Sequence, residues 1–115
     1  FPYTTLFRSP PRRPGVPSGG ATETVLCRVH MDPGAAIAPH RHDHEEVMAV
    51  LEGTIRLGGD EEGVELGPGD SAVIPAGTLH ASVAGDQGAL LVTAMPVGMR
   101  ILPDEGEPRV APWAG

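Results

Sequence analysis

The sequence predicts an all-β domain, and three observations carry that prediction. From Glu23 onward, short apolar runs are interrupted by Gly, Pro or Asp at intervals of roughly ten residues, the rhythm of a small sandwich or barrel. No segment holds a helical apolar period long enough to form a helix, and no internal repeat is present. A length of 115 residues suits one core without a second lobe.

The elements follow in order. TVLCRVHM (Thr24 to Met31) stops at the turn signal Asp32-Pro33-Gly34, and AAIAPHRH (Ala35 to His42) ends at an acidic corner, Asp43 to Glu45. EVMAVLEG (Glu46 to Gly53) leads through Gly53 into TIRLGG, and EGVELGPGD turns at Gly67 to Asp70 into SAVIP. TLHASVA ends at Gly85-Asp86, ALLVTAM runs to Met95, and MRIL is a short last strand. The Pro-rich end, Pro103 to Gly115, is expected to lie over the barrel, anchored by Trp113. Val47 to Leu51 and Ala89 to Met95 are apolar at every position, so both faces of those strands require cover. One face fills the core; the other is expected to meet a second subunit in a homodimer, the alternative being cover by the C-terminal segment.

The N-terminal stretch is set apart. Phe1 to Ser9, FPYTTLFRS, match at all nine positions the in-frame translation of a common sequencing adapter and are excluded from fold reasoning. Pro10 to Gly20 is rich in Pro and Gly with no apolar period. The expectation is a disordered, partly artefactual tail over residues 1–20 and one β-domain over residues 21–115.

Charge narrows the function. Taking the three tail arginines from the eight basic residues leaves five Arg against 15 carboxylates, a formal charge of −10 for the body. Such a surface repels phosphate backbones and anionic lipid, so neither nucleic acid nor membrane is an expected partner. The chain has no Lys, which removes Schiff-base chemistry and a lysine grip on phosphate. Trp113 is the only aromatic residue of the body, too few for a stacking platform. Cys27 is solitary, no run approaches a membrane span, and the expected location is the cytoplasm.

The chemistry concentrates between Gly34 and Gly53, where His40, His42 and Glu46 stand at spacings that a strand and its return strand bring to one point; His80 follows later. Two His one residue apart share a strand face, so both imidazoles can grip one ion. A mixed imidazole and carboxylate set suits one divalent transition metal, with Fe, Mn, Co, Ni, Cu and Zn all allowed, and leaves positions open for chemistry. Glu46 keeps the parity of the His pair, which places Met48 and Val50 beside the metal, with Ala38 and Ala36 below the histidines. Arg28 and His30 share parity on the first strand: either both enter the pocket and hold an anionic substrate, or both face outward in ion pairs. Cys27 has the opposite parity and reads as a small core residue. His44 reads as a solvated corner residue, and Glu45 points away from the metal.

In full, the pattern is G-x5-H-x-H-x3-E-x6-G on Gly34, His40, His42, Glu46 and Gly53, then G-x5-P-x-G-x2-H on Gly69, Pro75, Gly77 and His80. Over roughly residues 22–102 the chain resembles the cupin superfamily, in particular its small single-domain bacterial members. The resemblance implies a jelly-roll β-barrel, the double-stranded β-helix, with His40, His42, Glu46 and His80 as metal ligands near its centre. One position departs from the pattern: Ala84 stands where the second motif usually closes with Asn. A small aliphatic pocket, poor in acid–base groups, points to chemistry the metal performs itself. The expected function is therefore an oxygenase-type enzyme acting on a small oxygen-chelating molecule such as a β-diketone, enol or related acid. A non-catalytic binding or sensing module is the alternative from a different class, and an isomerase or epimerase a weaker one.

Overall fold

The computed structural model describes residues 20–59, 63–103, 106–112 and 114. The expectations for the N-terminal tail up to residue 19 and for Trp113 lie outside the described residues. Eight strands form in chain order: β1 (Thr24–Met31), β2 (Ala36–His42), β3 (Glu46–Gly59), β4 (Val64–Leu66), β5 (Ser71–Ile74), β6 (His80–Pro96), β7 (Arg100–Leu102) and β8 (Arg109–Val110). The described residues contain no helix.

Two long strands carry the architecture. The sequence reads as separate runs on either side of Gly53 and of Gly85, but β3 and β6 each continue through these points and pair with one another, from Val47 opposite Ala94 to Gly59 opposite His80. Their register slips between Val50 and Glu52 and again between Gly53 and Ile55, so the pair bends at a bulged corner. On one side of the corner, the C-terminal half of β6 lies between β1 and β3, with β5 beyond. On the other, its N-terminal half lies between β2 and β3, with β4 beyond β3 and β7 beyond β2. All pairings are antiparallel, and one pair of strands thus serves two faces that enclose a core.

The corner needs glycine. Gly53 has φ +71° and faces Gly88, itself at φ +72°; a Cβ on Gly53 would run into the Gly88 carbonyl oxygen. Only a residue without a side chain allows both the positive φ and this approach.

Alternation divides the strands as expected. Met48, Val50, Ile55 and Leu91 pack inward with Met31, Leu66 and Ile74. A second cluster joins Val25 and Met95 to Met99, Ala111 and Ala114, so the C-terminal segment closes the end of the barrel near β1. Those described residues pack away from the outer sheet face, where Leu26, Ala94, Val47 and Val73 lie in one row across β1, β6, β3 and β5. Leu26 is 53% exposed and Val73 59%.

Replacing Gly53 by Ala is expected to cost ~2 kcal/mol or more in a urea titration, because strain and overlap add. Gly69→Ala, at φ +90° but with nothing within 4 Å of the new Cβ, is expected to cost only the conformational part, about 1 kcal/mol. Equal losses would refute the close-approach argument.

Candidate metal centre

Three histidines from two neighbouring strands converge inside the barrel. His40 and His42 end β2, His80 opens β6, and His40 lies opposite His80 in the ladder. Ring centroids stand 4.6 Å apart for His40 and His42, 4.1 Å for His40 and His80, and 5.0 Å for His42 and His80. One ring nitrogen of each lies within 4.8 Å of the other two, so the three can hold a metal ion.

The backbone sets which nitrogen each ring offers. His40 Nδ1 donates to the Ala38 carbonyl at 2.8 Å, and His80 Nδ1 donates to the Thr78 carbonyl at 2.9 Å. A carbonyl can only accept, so both rings carry the Nδ1 proton and keep the Nε2 lone pair free, as metal-ligating histidines do. His42 is 3% exposed, yet neither of its ring nitrogens has a hydrogen-bond partner. A buried, unpartnered imidazole is costly in a finished interior and fits a bound ion.

Glu46 is separate from this group. It is 6% exposed and lines the same cavity, with Oε1 3.6 Å from His42 Nδ1, beyond hydrogen-bond range, and it is outside the three-histidine group. Burial raises its carboxyl from 4.5 to about 7. Burial, then the neighbouring His40 and His80, lowers His42 from 6.5 to about 4, and burial lowers His80 as well. Burial thus favours the neutral forms of His42 and His80 and brings the Glu46 carboxyl near neutrality.

The corner after His42 is clamped. Asp43 accepts from the Arg100 backbone N–H at 2.7 Å, from Arg100 Nε at 2.9 Å and from His44 Nδ1 at 2.8 Å. Burial pushes Asp43 up, but these bonds outweigh it and hold its carboxyl well below the usual range. The His42 carbonyl accepts from Gly77 N–H at 2.8 Å, tying the Pro75–Gly77 turn to the same corner. His44 itself is 56% exposed, as the sequence suggested.

The cavity beside the histidines measures about 580 Å³. Met48 lines it, but three other expected lining residues do not stand as predicted. Ala38 is exposed and outside the lining: the β2 register shifts between Ile37 and His40, so Ile37, itself 39% exposed, stands on the lining instead. Ala36, likewise, is exposed. Val50, 1% exposed, packs one rung deeper in the main core. Arg28 and His30 border the cavity, yet both lie on the exposed parity of β1, and His30, 73% exposed, faces Asp32 at 3.7 Å. Lining residues missed by the sequence reading are polar Cys27, Ser82 and Thr93 and apolar Val29, Ile37, Leu91 and Met95. The signal was present for Ser82, which follows His80 by two and so shares its face. A second depression of about 550 Å³ touches only His80 of the three histidines and opens beside exposed Val64 and Val73, away from the site.

Residues 27–95 match the family profile of the Cupin domain. No curated protein matches the chain. Among solved structures, the polyketide cyclase RemF from Streptomyces resistomycificus is similar at a TM-score of 0.70 and 25% identity, over 84% of this chain and 78% of its own. KdgF from Halomonas sp. is similar at 0.61 and 29% identity, over 64% of this chain and 68% of its own. An oxalate oxidase in complex with the substrate analogue glycolate gives 0.56 and 25% identity, over 62% of this chain and 40% of its own.

In the metal-free protein, Glu46 contributes stability that is present below pH 4.5 and is lost as pH rises through about 7, because the folded state holds the proton longer. His42 acts oppositely: its contribution is present above pH 6.5 and is lost as pH falls through about 4. Removing the Glu46 charge isolates the first effect. Glu46→Gln should gain stability relative to the parent between pH 5 and pH 8, on the order of 3 kcal/mol. A difference that stays flat with pH in denaturant titrations would rule out a buried carboxyl of this kind.

Proposed function

On the premise that this chain belongs to the cupin family, we propose that it is a metal-dependent enzyme of oxygenase type, acting on a small molecule with two oxygen donors and with dioxygen as co-substrate. The single observation that carries this reading is the three-histidine group with its open cavity. His40, His42 and His80 would hold one divalent transition metal, with Glu46 either joining them or standing beside them. Such an ion supplies a Lewis-acid and redox centre when bound.

The chain's own residues supply the rest. The Ala38 and Thr78 carbonyls fix two rings through Nδ1, so that Nε2 of each would be free to hold the ion, and the Asp43–Arg100 clamp holds the corner that carries the third. Met48 and Leu91 exclude water from the reacting atoms. Glu46, poised near neutrality inside the cavity, can take a proton from an acidic C–H or enol of the substrate and return it. The likenesses support small oxygen-rich substrates. A polyketide carries 1,3-dioxygenated units, and oxalate and glycolate are two-oxygen chelators.

A homodimer and a cytoplasmic location belong to this proposal too. The row of Leu26, Ala94, Val47 and Val73 is the apolar face whose cover the sequence called for, and no chain segment among the described residues lies on it. The solitary thiol suits a reducing compartment. The alternative is a cupin that binds or senses a small molecule without turnover, since the cavity alone would serve that purpose.

Anaerobic loading with Fe(II), followed by admission of oxygen in the presence of pentane-2,4-dione, should give oxygen consumption that His42→Ala abolishes. Glu46→Gln should reduce the rate about 100-fold or more while leaving diketone binding within a few-fold. Diketone binding with no oxygen uptake in the parent would favour the binder. For the dimer, Leu26→Glu with Val73→Glu should convert a species of about 24 kDa to one of about 12 kDa by sedimentation, twice and once the chain mass of 11.9 kDa. A parent that sediments as a monomer would remove that part of the proposal.

A further inference from the structure

The cavity has a polar feature that metal binding leaves unused. Ser82 is 3% exposed and lines the cavity on the face it shares with His80, and no hydrogen bond joins its hydroxyl to another described residue. Thr93, also 3% exposed, sits on the other half of β6, in one rung with Cys27 of β1 and Met48 of β3. Its Oγ1 meets only Cys27 Sγ, at 3.2 Å. A thiol is a weak partner in either role, so most of the hydroxyl's capacity remains available. Both residues line one cavity, so each hydroxyl can offer a hydrogen bond to a ligand oxygen there.

The charge of that something is constrained. Neither cationic residue bordering the cavity is buried in it: Arg28 and His30 are both exposed, and His30 faces Asp32. A distal carboxylate whose direct partners are two hydroxyls rather than a buried cationic side chain would regain only part of its lost hydration. The lining also carries apolar side chains, Val29, Ile37, Met48, Leu91 and Met95.

We infer that Ser82 and Thr93 are specificity-determining residues that select a neutral, mainly aliphatic ligand bearing a hydroxyl or carbonyl oxygen beyond the pair directed at the histidines. The inference rests on the metal-centre reading proposed above and adds the ligand's distal group to it.

Three probes of matched length test it by titration calorimetry on the Fe(II)-loaded protein under argon: heptane-2,4-dione, 6-hydroxyhexane-2,4-dione and 3,5-dioxohexanoate. The hydroxyl probe should bind about tenfold tighter than the alkyl probe, the size of one neutral hydrogen bond, and the carboxylate should bind weakest. Ser82→Ala with Thr93→Val should erase the preference for the hydroxyl probe over the alkyl probe while leaving iron content unchanged. Thr93→Ser, which keeps the hydroxyl, should retain it. Equal binding of alkyl and hydroxyl probes by the parent overturns the inference, as does tightest binding of the carboxylate with loss of that advantage in Arg28→Gln. If the iron-loaded parent binds none of the three, the chelating reading itself fails and this inference falls with it.

Discussion

Everything in this barrel that bears on function depends on three imidazoles crowded within 5.0 Å, one of them buried with neither nitrogen hydrogen-bonded. Burial first, and then the neighbouring rings, make protonation of His42 and His80 unfavourable. The barrel accepts the crowding because the surrounding strands over-determine it. His40 and His80 face each other across the β2–β6 ladder, each locked by a carbonyl two residues before it, and His42 sits on a corner held by Asp43, Arg100 and Gly77.

The fold is arranged to make that possible from few residues. Two strands that bend at a shared glycine corner build both faces, so β6 delivers His80 and Ser82 from one half and Leu91 and Thr93 from the other into a single cavity. The close approach of Gly53 and Gly88 is what allows one chain of modest length to close around an interior. The outer row of Leu26, Val47 and Val73 is exposed, while Ala111 and Ala114 of the C-terminal segment pack on Val25 and Met95 instead.

The pattern of the chain made the strands and the histidines legible for simple reasons. Turn signals at Asp32-Pro33-Gly34 and at Gly67 to Asp70 bound β1 and separate β4 from β5, and the two-residue spacing of His40 and His42 requires a common face. What escaped depends on register. A register shift between Ile37 and His40 changes which neighbour borders the cavity, so Ile37 lines it where Ala38 was expected, and nothing in AIAPHRH signals the slip except Pro39, which cannot donate to a ladder. Gly53 and Gly85 read as strand ends because glycine ordinarily punctuates, whereas here the chain bends at these points and continues pairing. Glu46 keeps the expected parity and reaches the cavity, but its distance from the histidine group is set by the corner that carries it, which periodicity does not describe.

The most direct measurement is elemental analysis of the protein purified without added metal, for the parent and for His42→Ala. The account predicts close to one transition-metal ion per chain in the parent and almost none in the variant, whose circular dichroism should remain that of a β-barrel. A parent free of metal even after incubation with Fe(II), Mn(II), Ni(II) or Zn(II), or a variant that retains the ion in full, would contradict it.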